Sequence, residues 1–365
     1  ALDTPKPDKP GSSWKQKLTL HWPPGRKEAI VAAVIVLLLG GVTYALVHNN
    51  KPATLRPIPK VTSKTKTVPS TLTGLPVDPI VNKRTVTGVM IENSWAARPQ
   101  SGLGQAGVVF EAIAEGGVTR FLALYQDTAP SNIGPVRSAR PYFIQWNQGF
   151  NAGYAHVGGS TDGLADIKKW DVRDLDQFSN PGYYHRINTR YAPHNMYTSI
   201  TTLNQLEVKK GYVTSHFTGF ARKKASPAKQ PTAASIKLTL SGPDYDVHYN
   251  YNAKTNSYLR NEGGAPQIDA NTNKQISPKV VVAMVMPYSF GSLDSTGAYY
   301  SIYKTIGDGP VYVFQDGTVT TGRWYKSSAT SQFVFKTTAG QAIRLNPGYT
   351  WLTALAGTDD VKYSP

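Results

Sequence analysis

Cysteine is absent from this chain of 365 residues. A chain without thiols forms no disulfides, thiolate zinc sites or iron–sulfur clusters, and it offers no cysteine nucleophile or lipid-modified cysteine anchor. An oxidising compartment stays open, because a protein without thiols cannot form unwanted disulfides there.

Several catalytic and cofactor motifs are also missing. No glycine-rich loop ends in Lys-Ser or Lys-Thr, and no G-x-G-x-x-G pattern follows a strand, so the sequence predicts no nucleotide cofactor. Ser138 and Ser160 are the two candidate serine nucleophiles, and neither lies in a G-x-S-x-G elbow. The residues around Ser160 are typical of a helix N-cap instead. No repeat of solenoid length is present.

Acidic residues are scarce, with 23 Asp and Glu against 39 Lys and Arg, which gives a net charge of +16. Half of this excess lies in residues 1–72, which contain 11 Lys and Arg but three acids. The rest of the chain is mildly basic, and its longest basic run is Arg222-Lys223-Lys224. This distribution argues against a nucleic-acid partner and favours an anionic surface or a small anion.

An uncharged apolar run covers residues 29–47, where only Thr43 and Tyr44 carry polar groups. As a helix this run spans roughly 28 Å, about one bilayer core, so we predict a single-pass membrane helix. A cleaved signal peptide, with a poor cleavage site near Thr43-Tyr44-Ala45, is the alternative. Basic residues flank both ends and do not decide the orientation. We predict that the short, Pro-rich N-terminal tail lies in the cytoplasm. The large C-terminal part lacks cysteine, which suits a location outside the cell membrane.

Composition divides the chain into seven predicted segments. They are a disordered cytoplasmic tail (1–28), the membrane helix (29–47), a Pro/Lys/Thr-rich stalk (48–72), an N-terminal domain of α+β or α/β class (73–221), a linker (222–235), a mainly-β C-terminal domain (236–356) and a tail (357–365).

Apolar patterns and turn residues predict the elements of both domains. In the N-terminal domain we expect strands over 85–92, 108–114, 118–126 and 152–157 and helices over 141–150, 160–170 and 197–210. The pairs Gly116-Gly117 and Asp316-Gly317 predict hairpin turns. In the C-terminal domain we expect strands over 236–240, 246–251, 257–260, 279–286, 299–305, 311–315, 318–325 and 332–335.

Polar side chains concentrate in three stretches, 92–120, 133–160 and 184–197. Arginine is prominent among them, and its planar fork suits carboxylates and phosphates. Gly158-Gly159-Ser160 before a helix would add backbone N–H donors. Internal pairing of the arginines with Glu92, Glu111 and Glu115 is the competing interpretation. The six arginines are Arg98, Arg120, Arg137, Arg140, Arg186 and Arg190.

Histidine could supply a metal site or a general acid or base. His156, His185 and His194 could ligate zinc with Glu111 or Glu115, but no paired-ligand motif is present, and we predict no metal. His156, His194 and Glu115 are the candidate catalytic residues, with a hydrogen-bonded structural role as the alternative for each histidine.

Three stretches of this chain resemble the YerB-like proteins, named as domain of unknown function 3048. They are GPVRSARPYF at 134–143, HVGGS at 156–160 and RYAPHNMYT at 190–198, and residues 309–324 and 345–351 resemble the C-terminal domain of that family. The resemblance covers about residues 73–356. It implies a two-domain bacterial envelope protein, usually tethered as a lipoprotein, and it implies no activity. This sequence lacks the lipobox cysteine and has a membrane helix instead.

These observations lead to one hypothesis and two alternatives. We expect a cleft that binds an anionic envelope component, such as a cell-wall fragment or the acidic segment of a partner protein. One alternative is an envelope hydrolase or transferase that uses His156 or His194 as base and an arginine pair to stabilise an anionic transition state. The other is a scaffold that contacts membrane proteins. The predicted ligand-binding residues are Arg98, Arg120, Arg137, Ser138, Arg140, His156, Arg186, Arg190 and His194.

Overall fold

The computed structural model describes residues 66–294 and 296–365. Residues Thr65–Pro365 form one compact unit, which is mostly β in its described part. The predicted cytoplasmic tail, the membrane helix and most of the stalk lie outside the described residues. Among the described residues, no helix has the length and apolarity needed to cross a bilayer.

The described residues contain three α-helices and 22 strands, joined by loops and short 3-10 turns. The helices are α1 (Pro141–Gln148), α2 (Thr161–Lys169) and α3 (Ile200–Lys209). The strands are β1 (Val68–Pro69), β2 (Pro76–Val77), β3 (Thr87–Glu92), β4 (Val108–Glu115), β5 (Val118–Tyr125), β6 (Gly153–Ala155), β7 (His185–Arg186), β8 (Met196–Tyr197), β9 (Ser235–Leu238), β10 (Val247–Asn252), β11 (Ser257–Glu262), β12 (Ala265–Pro266), β13 (Ile268–Asp269), β14 (Lys274–Gln275), β15 (Val280–Val285), β16 (Tyr288–Leu293), β17 (Tyr299–Tyr303), β18 (Gly307–Gln315), β19 (Thr318–Lys326), β20 (Val334–Thr337), β21 (Thr350–Leu355) and β22 (Val361–Ser364).

One main sheet combines strands from both predicted domains. Its order is β20-β19-β18-β15-β21-β4-β5-β3-β6, and the hairpin β16-β17 joins it through β17 and β4. Strands β3 and β6 are parallel, and β4, β21 and β15 are parallel. Strand β5 is antiparallel to both β3 and β4. Strands β6, β3, β4, β21 and β15 therefore all point the same way, and their carboxyl ends meet at one edge of the sheet, which we call the carboxyl edge.

Both faces of the main sheet are buried at its central strands β3, β4, β5, β15 and β21. Successive residues of β4, such as Val109 and Phe110, belong to two different apolar cores, as the two-residue period of a strand requires. One core includes α1 and α2, and the other includes α3 and a second sheet with the order β12-β11-β10-β9-β22. Burial on both faces explains why β15 is a continuous apolar run.

Local sequence signals predicted the helices and turns well. Ser160 Oγ accepts a hydrogen bond from the Gly163 N–H at 3.2 Å, which confirms the predicted N-cap of α2. Asp316 and Gly317 have φ angles of 59° and 76°, as a type I′ hairpin turn requires. The helix predicted over 197–210 begins only at Ile200, because Met196 and Tyr197 pair as β8 with β7.

Three segments predicted to be irregular take part in the fold. Leu72, at the end of the predicted stalk, is buried, and β22 in the predicted C-terminal tail pairs with β9. At the start of the predicted linker, the Arg222 guanidinium donates to the backbone oxygens of Leu72 and Asn346 at 2.6 and 2.9 Å. All three helices lie within residues 141–209, in the part predicted to mix helices and strands, and the exact domain boundaries stay predictions.

Candidate functional site

A cluster of four polar side chains lies at the carboxyl edge, and we call Glu92, Ser94, Arg137 and His194 the carboxyl-edge cluster. Glu92 is the last residue of β3, and its carboxylate is the centre of the cluster. Glu92 Oε1 lies 3.0 Å from His194 Nδ1 and 3.3 Å from Arg137 Nε. The Ser94 hydroxyl donates to the same oxygen at 3.0 Å. Arg137 and His194, which can both bind an anion, thus share Glu92 as their acidic partner.

Backbone hydrogen bonds fix this arrangement. The segment that carries Arg137 runs beside the end of β3, where the Glu92 N–H donates to Pro135 O and the Arg137 N–H donates to Met90 O, both at 2.9 Å. The loop that carries His194 is attached to the same segment, because the Val136 N–H donates to Met196 O at 2.7 Å. All three predicted polar stretches therefore meet at the end of β3.

The cluster combines a buried acid with accessible donors. The side chain of Glu92 is 5% exposed, whereas those of Arg137 and His194 are 26% and 27% exposed. Glu92 Oε2 and Arg137 Nε have no hydrogen-bond partner among the described residues, and the same holds for Nε of Arg120, which faces Glu92 across β3 and β5. Buried polar atoms without partners are unusual, and a bound ligand or water can satisfy them.

A second charged group at the same edge consists of Arg120, Arg140 and Glu115. Glu115 Oε1 accepts from Arg120 Nη2 at 2.5 Å, and Oε2 accepts from Arg140 Nη2 at 2.6 Å. Burial by itself would raise the pKa of Glu115, but the two guanidinium groups hold this pKa below its usual range. A carboxylate with a low pKa and two cationic partners is a poor base. Glu115 is therefore a weaker candidate for a general base than His194.

Taken together, the carboxyl-edge cluster and this second group contain one more guanidinium group than carboxylates. Arg120, Arg137 and Arg140 face two carboxylates, those of Glu92 and Glu115. Arg120 and Arg140 are 2% and 5% exposed, so water screens their charges weakly. Ser138, a predicted ligand-binding residue, offers its backbone oxygen to Arg120 Nη1 at 3.2 Å.

Three other predicted arginines hold loops in place. Arg190 donates to the backbone oxygens of Ala97 and Pro99, the latter at 2.8 Å. Arg186 donates to Asn195 Oδ1 at 2.6 Å. The third, Arg98, contacts residues of the second sheet. None of these three arginines pairs with Glu92, Glu111 or Glu115. The competing interpretation, internal pairing with those acids, applies instead to Arg120 and Arg140 on Glu115 and to Arg137 on Glu92.

His156 lies at the carboxyl end of β6 and is fully buried. Its Nδ1 is 2.7 Å from Gly158 O, and its Nε2 is 2.9 Å from Asp174 Oδ1. With both ring nitrogens engaged, His156 has no free nitrogen for proton transfer or for a ligand, so we leave it out of the candidate site.

No three-residue group of His, Asp and Glu that could hold a metal ion occurs among the described residues. Glu111, one of the two acids considered for zinc, lies in the main sheet and is paired with Arg260 at 2.7 Å. Sequence reasoning missed this pair and the central position of Glu92. A glutamate inside the apolar run VVFEAIA was the available signal, since a buried acid needs a partner.

Comparison with known proteins places the chain in a family. Residues 72–213 match the family described as "Protein of unknown function (DUF3048) N-terminal domain", and residues 236–352 match the corresponding C-terminal domain. The putative lipoprotein YerB of Bacillus subtilis (strain 168) is 29% identical over 303 residues, which cover 82% of this chain and 89% of that protein. The crystal structure of the YerB protein from Bacillus subtilis is similar with a TM-score of 0.71 and 27% identity, covering 82% of this chain and 100% of that chain. The protein therefore belongs to the DUF3048 family, with both the N-terminal and the C-terminal domain of that family.

Proposed function

We propose that this protein is a membrane-anchored, extracytoplasmic module that binds an anionic component of the cell envelope at the carboxyl-edge cluster. The observation that carries the proposal is the arrangement around Glu92, whose buried carboxylate holds Arg137 and His194 in place while both side chains keep about a quarter of their surface exposed. A group held in position before binding loses less conformational entropy when its ligand arrives.

The chemistry of the cluster fits an anion. His194 uses Nδ1 toward Glu92, so Nε2 is the nitrogen that can face a ligand. Arg137 supplies a fork of donors suited to a carboxylate or phosphate. Arg120, Arg137 and Arg140 outnumber their two acidic partners, Glu92 and Glu115, which supports local attraction of a negative charge.

The envelope location is part of the proposal and rests on two supports. The Bacillus subtilis relative is described as a putative lipoprotein, which suggests a membrane-associated envelope protein. This chain has no cysteine for a lipid anchor, and its apolar run over 29–47 offers a single-pass helix in its place. Two fusions to residue 365 test the orientation, one with a reporter enzyme that is active only outside the cytoplasm and one with a reporter that is active only inside it. Activity of the cytoplasmic reporter alone would reject the proposed orientation.

Titration calorimetry of the full-length protein with poly(glycerol phosphate) and with a carboxylate-bearing peptidoglycan fragment tests the binding site. We expect binding of at least one, and we expect Arg137→Ala to weaken it at least tenfold, because the variant removes a charged hydrogen-bond donor. Arg323→Ala is the matched control, since Arg323 is an exposed arginine paired with Asp308. Equal losses in both variants, or no binding of either probe, would reject the proposal.

The Glu92–His194 contact favours one enzymatic alternative, a hydrolase or transferase with His194 as general base. A buried carboxylate on Nδ1 orients the imidazole and leaves Nε2 for proton transfer. Ser94 and Glu92 both contact Nδ1, so Ser94 is not placed as a nucleophile for Nε2. His194→Gln separates the two functions, because an enzyme loses turnover and keeps ligand affinity. Arg137→Ala weakens binding in either case.

Exposed apolar side chains on the hairpin β16-β17 favour the scaffold alternative. Phe290, Leu293, Tyr299 and Ile302 are each at least half exposed. Such a group is typical of a contact with another protein. Replacement of Phe290 and Ile302 by serine should abolish co-purification of membrane partners under this alternative, while the anion binding of the carboxyl-edge cluster stays unchanged.

A further inference from the structure

A cavity of about 340 Å³ lies between the loop after β3 and the second sheet, and we call it the Trp95 cavity. Its wall includes Trp95, Arg98 and Gln100 from that loop and Glu262, Ala265 and Ile268 from β11, β12 and β13. None of the four side chains of the carboxyl-edge cluster lines it. It is therefore a separate place for a ligand.

Glu262 gives this cavity a hydrogen-bond acceptor that lacks a donor. The residue is 4% exposed, and its Oε1 accepts from Asn93 Nδ2 at 2.6 Å. Its Oε2 has no hydrogen-bond partner among the described residues, and the Arg98 Nη2 atom lies 3.5 Å from it. Burial raises the pKa of Glu262 even though Arg260 opposes this effect. A ligand that brings an O–H or N–H donor removes the cost of this unpaired acceptor.

The charges around the cavity balance. Glu111 and Glu262 face Arg98 and Arg260, two groups of each sign joined by contacts of 2.7 to 3.5 Å. A balanced set attracts neither cations nor anions from a distance. The Trp95 cavity thus suits an uncharged ligand, whereas the ligand proposed for the carboxyl-edge cluster is an anion.

Trp95 supplies a flat apolar face at the rim of the cavity. Its side chain is 69% exposed, which is unusual for an aromatic residue of this size. The Arg98 guanidinium lies 5.8 Å from the Trp95 ring centre and 5.1 Å from that of Tyr245, so cation–π contacts hold both groups in place. An aromatic face beside buried polar groups is complementary to a molecule with one apolar face and polar edges.

From this geometry we propose that the Trp95 cavity binds an uncharged sugar ring, with the C–H face of the ring on Trp95 and a hydroxyl or amide donor directed to Glu262. The proposal does not depend on the anion site. It concerns different residues and a ligand without charge, so the two sites can be tested independently in the same protein.

Titration calorimetry of the full-length protein with triacetylchitotriose and with cellotriose tests the proposal. We expect one or both to bind with a dissociation constant at or below about 1 mM. Binding of the first alone identifies an amide donor, and binding of the second identifies a hydroxyl donor. Both results support the proposal, and the absence of binding of either oligosaccharide overturns it.

Two variants locate the sugar site and one serves as control. Trp95→Ala removes the aromatic face, and Ala265→Phe fills the cavity from an exposed position on the edge strand β12. We expect each to weaken sugar binding at least tenfold with an unchanged melting temperature, and we expect Arg137→Ala to leave it unchanged. Sugar binding that both cavity variants retain would overturn the proposal.

Discussion

Arg260 Nη2 lies 2.7 Å from both carboxylate oxygens of Glu111, at the place where the main sheet and the second sheet face each other. Neither side chain is exposed to water. The ring of Trp351 packs 4.3 Å from the Arg260 guanidinium, and its Nε1 donates to Glu111 Oε2 at 2.9 Å. One ion pair thus connects β4, β11 and β21, which are far apart in the sequence.

Replacement of Arg260 by methionine should destabilise the protein by about 3–5 kcal/mol, because it leaves the Glu111 carboxylate buried without its cationic partner. Urea denaturation at neutral pH measures this change. Arg323→Met is the control, since the Arg323–Asp308 pair is about half exposed and should contribute at most about 1 kcal/mol. Equal losses in the two variants would contradict this account.

Glu207 should make stability fall as the pH rises. Its side chain is buried in α3, and Thr87 Oγ1 donates to its Oε1 at 3.0 Å. Burial raises the pKa of Glu207 from 4.5 to about 8. Between these values the unfolded chain has lost the proton that the folded protein keeps, so the Glu207 contribution falls with rising pH by about 1.4 kcal/mol per unit.

Glu207→Gln tests this contribution, because an amide cannot ionise and still offers an oxygen to Thr87. We expect the variant to gain stability relative to the wild type as the pH is raised from 5 to 8. Denaturation curves at these two pH values give the difference. Parallel changes of the two proteins with pH would show that Glu207 does not titrate in this range.

Gly322 should not tolerate a side chain. A Cβ atom at this position would lie 2.0 Å from the backbone oxygen of Lys336 in the neighbouring strand β20. Because backbone must move to relieve the contact, we expect Gly322→Ala to cost about 1–3 kcal/mol. Gly182→Ala is the control, since a Cβ there meets nothing within 4 Å. Thermal melts compare the two variants, and a smaller loss at Gly322 than at Gly182 would refute the prediction.

Asp316 should organise the segment after Arg222. Its Oδ1 accepts hydrogen bonds from Asn346 Nδ2, Asn256 Nδ2 and the Ser226 N–H at 2.7 to 3.1 Å, and its Oδ2 pairs with Lys223. Burial would raise the pKa of Asp316, but Lys223 and these donors lower it from its ordinary 3.8. The resulting stability is present above pH 3.8 and is lost as the pH falls through the lowered pKa.

Asp316→Asn keeps a residue type that tolerates the positive φ angle of the turn and removes the charge. At pH 7 we expect a loss of about 1–3 kcal/mol, typical of hydrogen bonds to a charged group. The difference from the wild type should shrink below pH 3.8 in urea denaturation series. A difference that is constant between pH 7 and pH 3 would refute the role of the charge.

Features encoded by neighbouring residues could be predicted from the sequence. The N-cap at Ser160, the turn at Asp316-Gly317 and the strand runs of β4 and β5 each depend on a few adjacent residues. The position of β21 depends on pairing with β4, which lies more than 200 residues earlier. No local signal specifies such a pairing, and the β22 strand was missed for the same reason.

The candidate site shows the same limit. Composition indicated that the arginines and His194 matter, and the structure brings Arg137 and His194 together. Composition could not indicate which arginines are already paired. The partners of Arg190, for example, are backbone oxygens, which have no sequence signature. The central role of Glu92 follows from its position at the end of β3, and the Trp95 cavity follows from contacts between the loop after β3 and β11.

The position of β21 between β15 and β4 also constrains how the protein is made. While the ribosome synthesises the chain, β4 emerges early, and one of its long edges waits for residues 350–353 of β21, apart from Glu115, which pairs with Tyr300 of β17. The main sheet therefore stays open between β15 and β4 until β21 is available, and its final pairing waits for that strand.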